Sequence, residues 1–235
     1  ASSFGLFVAI CAAALLFGGD AFTWWTISWE AETTEADSDG YHYEFDLSQS
    51  FAIEDSEFEG KIAIWEEGDS SKDDLTDGVL NEKNSTKYSD DDCECDETKT
   101  FFTNLKYIIY GLLICGVLLA YLGQNEMEYT NAVAGIGALM SVGILLYAFI
   151  VLPIAYENDT REASEKDPET GEQEGFFEGT MNEDPFFILN SGKEEYNDIL
   201  ETEVKSYSKA MPGLAYFIPV ITLTLCSYLI IYNRD

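Results

Sequence analysis

Eight consecutive residues, Asp90-Asp91-Asp92-Cys93-Glu94-Cys95-Asp96-Glu97, gather two thiols and six carboxylates. Thiolates are nucleophiles and soft metal ligands, and carboxylates are hard oxygen ligands. Several chemistries fit this run. Cys93 and Cys95 can close a local disulfide or stay free. They can bridge to a neighbouring subunit. They can also hold a divalent cation together with Asp90, Asp91 and Asp92, and so many carboxylates would favour Ca²⁺ or Mg²⁺. No EF-hand spacing accompanies them. The sole histidine, His42, stands far away in sequence, so a zinc site of the usual N/S type is poorly supplied. No nucleophile–base pairing, phosphate loop or distinct carboxylate pair can be singled out. The chain therefore reads as non-enzymatic, with a divalent cation as its one candidate cofactor. Asn84-Ser85-Thr86 and Asn158-Asp159-Thr160 both fit the N-glycosylation tripeptide.

The elements that must position these residues are set by four apolar runs, Phe4–Gly19, Phe102–Gly123, Ala132–Tyr156 and Pro212–Tyr232. Crossing a bilayer takes about 20 apolar residues. The last three runs reach that length without an internal carboxylate. The first is shorter, and Phe22, Trp24 and Trp25 extend it into an aromatic belt. Backbone groups in a bilayer find no water, so these runs must be helices. The expected fold is a membrane α-helical bundle of four spans with a β-rich extracellular domain built from two acidic loops. Its divisions are span one over 1–25, the first loop over 26–101, span two over 102–123 and a short turn over 124–131. Span three follows over 132–156, the second loop over 157–211, and span four with a short tail over 212–235. The first run lacks a basic leader region and a convincing cleavage site, and is read as a retained span.

Charge bounds the partners. The formal net charge is -32, with 44 Asp and Glu against 12 Lys and Arg. A nucleic-acid partner is excluded by repulsion between phosphates and this surface. Such a surface repels itself at low ionic strength and is screened in molar salt, which points to a halophilic source, archaeal or viral. The acid sits in the two loops, which share one side of the membrane. Arg234 is the only basic residue on the short side, so the positive-inside signal is thin. The tripeptides and the cysteine pair place the loops outside the cell membrane.

In the first loop, Tyr41, Tyr43, Phe45 and Leu47 alternate with polar residues, the period of a half-buried strand. Phe22–Trp29, Phe51–Ile53 and Lys61–Trp65 add strand candidates, giving an antiparallel sheet of three to five strands. The stretch Asp69–Glu97 reads as irregular and Glu157–Glu174 as flexible. In the second loop, Phe176, Phe177, Phe186 and Phe187 form apolar islands expected to pack on the sheet or on a partner. Ser191 and Glu194 fit a capping box, and Tyr196, Ile199, Leu200 and Tyr207 share a helical face, so an amphipathic helix is expected there. Pro212 suits the first turn of span four. Small residues, among them Gly116, Ala120, Gly137 and Ser141, predict close helix packing.

The order span, β-rich loop, span, short turn, span, second loop, span resembles the claudin and peripheral-myelin-type tetraspan group. Trp25 beyond the first span, Trp65 in a later strand, and Cys93 and Cys95 before the second span carry the motif part of that resemblance. It departs from the group in lacking Gly-Leu before Trp65 and in the close spacing of its cysteines. The resemblance is one of architecture and says little about function. The leading expectation is a cell-surface protein working by lateral assembly, as a homo-oligomer or within a hetero-complex in the lipid bilayer. Trp24, Trp25, Trp29 and Trp65 are expected to anchor the sheet at the membrane surface. The rival expectations are an accessory subunit of a transporter, channel or membrane enzyme, a cation-selective pore with an acidic vestibule, and a virion membrane protein.

Overall fold

The computed structural model describes residues 2–66, 80–89, 95–124, 129–163, 191–197 and 202–232. Four helices, α1 (Ser2–Phe17), α2 (Asp96–Gln124), α3 (Thr130–Ala163) and α4 (Phe217–Tyr232), pack side by side, and one β-sheet stands at their common end. Among the described residues, three segments are long and apolar enough to cross a membrane: α2, α3, and Leu214–Tyr232, which is α4 with the 3₁₀ turn before it. With 16 residues, α1 is shorter. At 1.5 Å per residue it covers about 24 Å, short of the ~30 Å hydrocarbon core.

The helices touch through small residues. A Cβ on Gly5 would lie 2.2 Å from the Ala120 nitrogen, and one on Gly116 would lie 2.5 Å from the Ala9 nitrogen. Gly5 with Ala9 on α1 thus meets Gly116 with Ala120 on α2, each pair one turn apart, and the backbones close up. Between α3 and α4 the seam is polar. Ser141 Oγ and Thr222 Oγ1 lie 2.7 Å apart, both fully buried, and each hydroxyl also reaches a carbonyl of its own helix, Gly137 or Pro219. This satisfies both hydroxyls where water is absent.

The sheet has six antiparallel strands in the order β4-β3-β2-β1-β6-β5. They are β1 (Trp25–Thr33), β2 (Tyr41–Phe51), β3 (Asp55–Glu66), β4 (Leu80–Lys87), β5 (Ser191–Asn197) and β6 (Thr202–Pro212). Period-2 alternation sends Trp25, Ile27, Trp29 and Ala31 to the helix side, and Ser28, Glu30 and Glu32 to the other. Opposite β1, Phe51, Gln49, Leu47 and Phe45 share the helix-side face, and Ala210 and Ser208 continue it across β6.

Several expectations are corrected. The segment that fitted an amphipathic helix forms β5 and β6 instead, with Tyr196 and Tyr207 in strands; Ile199 and Leu200 lie outside the described residues. Its β6 part alternates Val204, Ser206, Ser208 and Ala210 against Glu203, Lys205, Tyr207 and Lys209, and pairing with β1 along its length outweighs a local capping signal. Leu80–Lys87 is an edge strand on β3 rather than irregular chain. The first loop supplies four strands, within the expected three to five, and the second loop adds two, so the sheet holds six. Pro212 closes β6 instead of opening the last helix, which starts at Phe217 after the 3₁₀ turn. The second helix begins at Asp96, before Phe102, and the third runs past Tyr156 to Ala163.

Candidate functional site

The residues available for function lie at the junction of sheet and helices and on the sheet's two faces. At the junction, β1 leaves α1 through a 3₁₀ turn at Gly19–Phe22, and β6 returns to α4 beside it, with Trp25 opposite Pro212. Backbone bonds lock this crossing. The Trp24 N–H donates to Phe51 O at 2.7 Å, Gly213 N–H to Trp24 O at 2.7 Å, and Ala215 N–H to Thr23 O at 3.0 Å. Gly213 must be glycine here, since a Cβ would stand 2.1 Å from the Thr23 carbonyl oxygen.

Aromatic rings fill the same level. Trp24 is fully buried and meets Tyr216 edge-on at 5.5 Å, and Trp25 contacts both Phe149 and Tyr216. The Trp25 indole N–H points to the Ala148 carbonyl of α3 at 3.4 Å. Tyr156 of α3 packs edge-on against Phe51 and donates its hydroxyl to Gln49 Oε1 at 3.0 Å. Tyr88, after β4, stacks on Phe102 of α2 and donates to the carbonyls of Ala52 and Asp55. Burial, and then the Asp55 charge, push the Tyr88 phenol well above its ordinary range. The sheet is thus fastened to α2, α3 and the 3₁₀ turn before α4 by ring contacts and buried hydroxyls.

Asp159 supplies a further tie. Its carboxylate, almost fully buried, accepts the backbone N–H groups of Glu97 and Thr98, both at 2.9 Å. These are orphan donors of the first turn of α2. One helix therefore caps another across more than sixty residues of sequence.

Away from the helices, the helix-side face of the sheet stays apolar. Trp29, Tyr43, Phe45, Phe58 and Ile62 are half-buried, and Ile64 is 37% exposed. A cavity of about 130 Å³ opens here between Ile27, Trp29, Leu47, Gln49, Phe58 and Tyr156. The opposite face is acidic. Glu30 stands directly across from Asp46, and Glu32 from Glu44, around a concavity of about 340 Å³ that Tyr207 completes. Among the described residues, no group of three or more His, Cys, Asp or Glu is placed to hold a metal ion.

In the β1–β2 turn, Asp37 accepts the N–H groups of Asp39 and Tyr41 at 2.9 and 2.8 Å, and the Tyr43 hydroxyl at 2.7 Å. The Tyr41 N–H and then the Tyr43 hydroxyl hold its carboxyl below the usual range. In return, the bond to Asp37 and then desolvation push the Tyr43 phenol up to about 12.

The residues singled out from sequence fall as follows. Trp24, Trp25 and Trp29 lie at or near the junction. Trp65 does not, because it pairs with His42, nine residue pairs along the β2–β3 hairpin from Phe51, and stacks on its ring at 5.3 Å. At ~3.4 Å per residue it stands about 30 Å along the strands from Phe51, where the sheet meets the helices. Asn84 is exposed on edge strand β4, and Asn158 is exposed on α3 beside the buried Asp159. Cys95 is disulfide-bonded, while Cys11, Cys115 and Cys226 are free and buried. Asp90, Asp91, Asp92, Cys93, Phe176, Phe177, Phe186 and Phe187 lie outside the described residues. The Asp159 cap and the Tyr88 anchor were missed from sequence; the only local signal was the absence of a capping side chain ahead of α2.

No protein-family model matches the sequence, and no curated protein matches it significantly.

Proposed function

We propose that this chain is a non-enzymatic tetraspan membrane protein that acts through lateral assembly, with the sheet as its contact module outside the cell. The observation that carries this reading is the coexistence of outward apolar helices with a partly uncovered apolar sheet face. On α1, Leu6, Ile10 and Phe17 are more than half exposed, as are Ile114 and Val117 on α2, Leu139 and Leu146 on α3, and Ile231 on α4. Exposed apolar belts of this extent need lipid. Exposure of Leu6, Ile10 and Phe17 supports a fourth span in α1, with Trp24 and Trp25 completing its length at the interface.

Beyond the helices, Trp29, Phe45, Phe58, Ile62 and Ile64 form a face of the kind that protein contacts cover. The acid on the other face keeps the module soluble and directs contact to the apolar side. The excess of carboxylates fits a source rich in salt. The claudin-like order of spans and loops agrees with an assembly role.

The test is gentle extraction at high salt, followed by measurement of particle mass and identification of every co-purifying chain. A homo-oligomer that dissociates with Ile64→Glu supports the reading. A heteromer of fixed ratio makes the chain an accessory subunit instead. A strict monomer in mild detergent overturns assembly through this face.

A further inference from the structure

Only 12 of 235 residues are Lys or Arg, yet three of them line one pocket. Lys87 ends β4, and Lys99 and Lys106 lie on α2. The pocket measures about 230 Å³ and is floored by Ile53, Tyr88 and Phe102. Glu54 is its one acid, and it pairs with Lys106 at 3.4 Å. Lys87 and Lys99 have no carboxylate within ion-pair distance among the described residues. In a chain of net charge -32, a pocket whose described lining holds three lysines and one acid is an exception.

Its position decides what it would bind. Lys99, Thr103 and Lys106 follow one another at i, i+4 and i+7, so they share a stripe of α2. The same stripe continues through Tyr110, Ile114, Val117 and Tyr121, which are 43%, 60%, 56% and 57% exposed. A cationic pocket at the sheet end of a helix thus leads directly into a track of outward apolar side chains. Lysine stems lie along apolar surface while their ammonium groups reach a polar layer. Basic pockets beside spanning helices suit anionic headgroups.

We propose that Lys87, Lys99 and Lys106 form a binding site for the phosphate headgroup of an anionic membrane lipid, whose acyl chain lies along Tyr110, Ile114 and Val117. This rests on the membrane reading above. The site gives a polyanionic domain a fixed point of attraction to an anionic leaflet that would otherwise repel it. Glu54 tempers the site by pairing with Lys106, and among the described residues Lys87 and Lys99 are the two charges that meet the phosphate.

The experiment uses the full chain in detergent and in bilayers. Reconstitution into phosphatidylcholine vesicles comes first, and failure to insert there overturns the membrane reading itself. Native mass spectrometry then counts dioctanoyl phosphatidylglycerol bound to the protein, with dioctanoyl phosphatidylcholine as the neutral counterpart. One phosphatidylglycerol is expected to be retained at least tenfold more strongly than phosphatidylcholine. Lys87→Gln with Lys99→Gln should abolish that preference, and Lys87→Arg with Lys99→Arg should keep it. Lys61→Gln with Lys83→Gln, on exposed strand positions elsewhere, should leave it unchanged. Equal retention of both lipids, or retention unaffected by the Gln pair in a protein of unchanged circular dichroism, overturns the proposal. Displacement by millimolar inorganic phosphate reassigns the pocket to a soluble anion and also overturns it.

Discussion

At the scale of single residues, the β1–β2 turn is held by one carboxylate. Asp37 collects two backbone N–H groups and the Tyr43 hydroxyl, and Gly40 supplies the positive φ of 86° that closes the turn. The two side chains move each other's titration in opposite directions. Asp37 has a depressed folded value, so its contribution is present above the ordinary carboxylate range and is lost as pH falls through the depressed value. Tyr43 has a raised folded value of about 12, so its contribution is complete below the ordinary phenol range near 10 and is lost as pH rises toward 12. Carbon-13 labelling of tyrosine, with Tyr43→Phe to assign the resonance, should show the Tyr43 midpoint raised to about 12. Asp37→Asn should bring its midpoint back toward 10. An unmoved midpoint in that variant would mean that Asp37 does not hold the phenol.

At the scale of elements, legibility followed side-chain pattern and failed where backbone or distant partners decide. Strands β1 to β3 could be read because Trp25, Ile27, Trp29 and Tyr43, Phe45, Leu47 repeat every second residue. In β6 the same period exists, but its helix-side residues include Ser206, Ser208 and Ala210, too small to stand out beside a capping-box signal. Edge strand β4, Leu-Asn-Glu-Lys-Asn-Ser-Thr-Lys, has no apolar alternation at all and is defined by its hydrogen bonds to β3. Of the candidate site, the aromatic junction was visible as a belt after the first span. The lysine pocket was not, since Ile53 and Glu54 come from a different strand connection. The cap on α2 was the least legible, because Asp159 reaches it from the far end of α3. Removing an N-cap costs ~1 kcal/mol, within a range of about 0.5–2. Asp159→Ala should lower stability by that amount in detergent denaturation. Asp159→Asn, which keeps one acceptor oxygen, should lose less. The readout is the denaturation midpoint together with amide exchange at Glu97 and Thr98. Unchanged protection of those two amides in the Ala variant would show that the cap is not formed.

At the scale of the whole molecule, acid meets acid across β1 and β2, while Lys61 of β3 stands opposite Asp46 and Lys205 of β6 opposite Glu32. Glu30 faces Asp46 and Glu32 faces Glu44 across β1 and β2, and like charges directly opposite destabilise a sheet. Two unit charges ~5 Å apart in water repel by roughly 0.8 kcal/mol. Two such pairs, added to a net charge of -32, make the sheet domain the salt-sensitive part of the protein. Raising NaCl from ~0.1 M to ~3 M shrinks the Debye length from about 10 Å to less than 3 Å and removes most of this repulsion. The apparent Tm should therefore climb steeply over that range. The variant Glu30→Gln, whose other cross-strand neighbour is the neutral Tyr207, should be more stable than the parent at low salt and equal to it at high salt, which locates the effect in the Glu30–Asp46 pair. Repeating the series with KCl separates screening from ion-specific exclusion, because screening depends on ionic strength alone. Adding CaCl₂ at constant ionic strength asks whether discrete ions replace the diffuse atmosphere. No rise in Tm beyond that of NaCl is expected at millimolar Ca²⁺, since among the described residues no carboxylate group is placed to hold a metal ion. A salt slope identical in parent and variant would assign the dependence to the rest of the acidic surface, and the Glu30–Asp46 pair would lose its role.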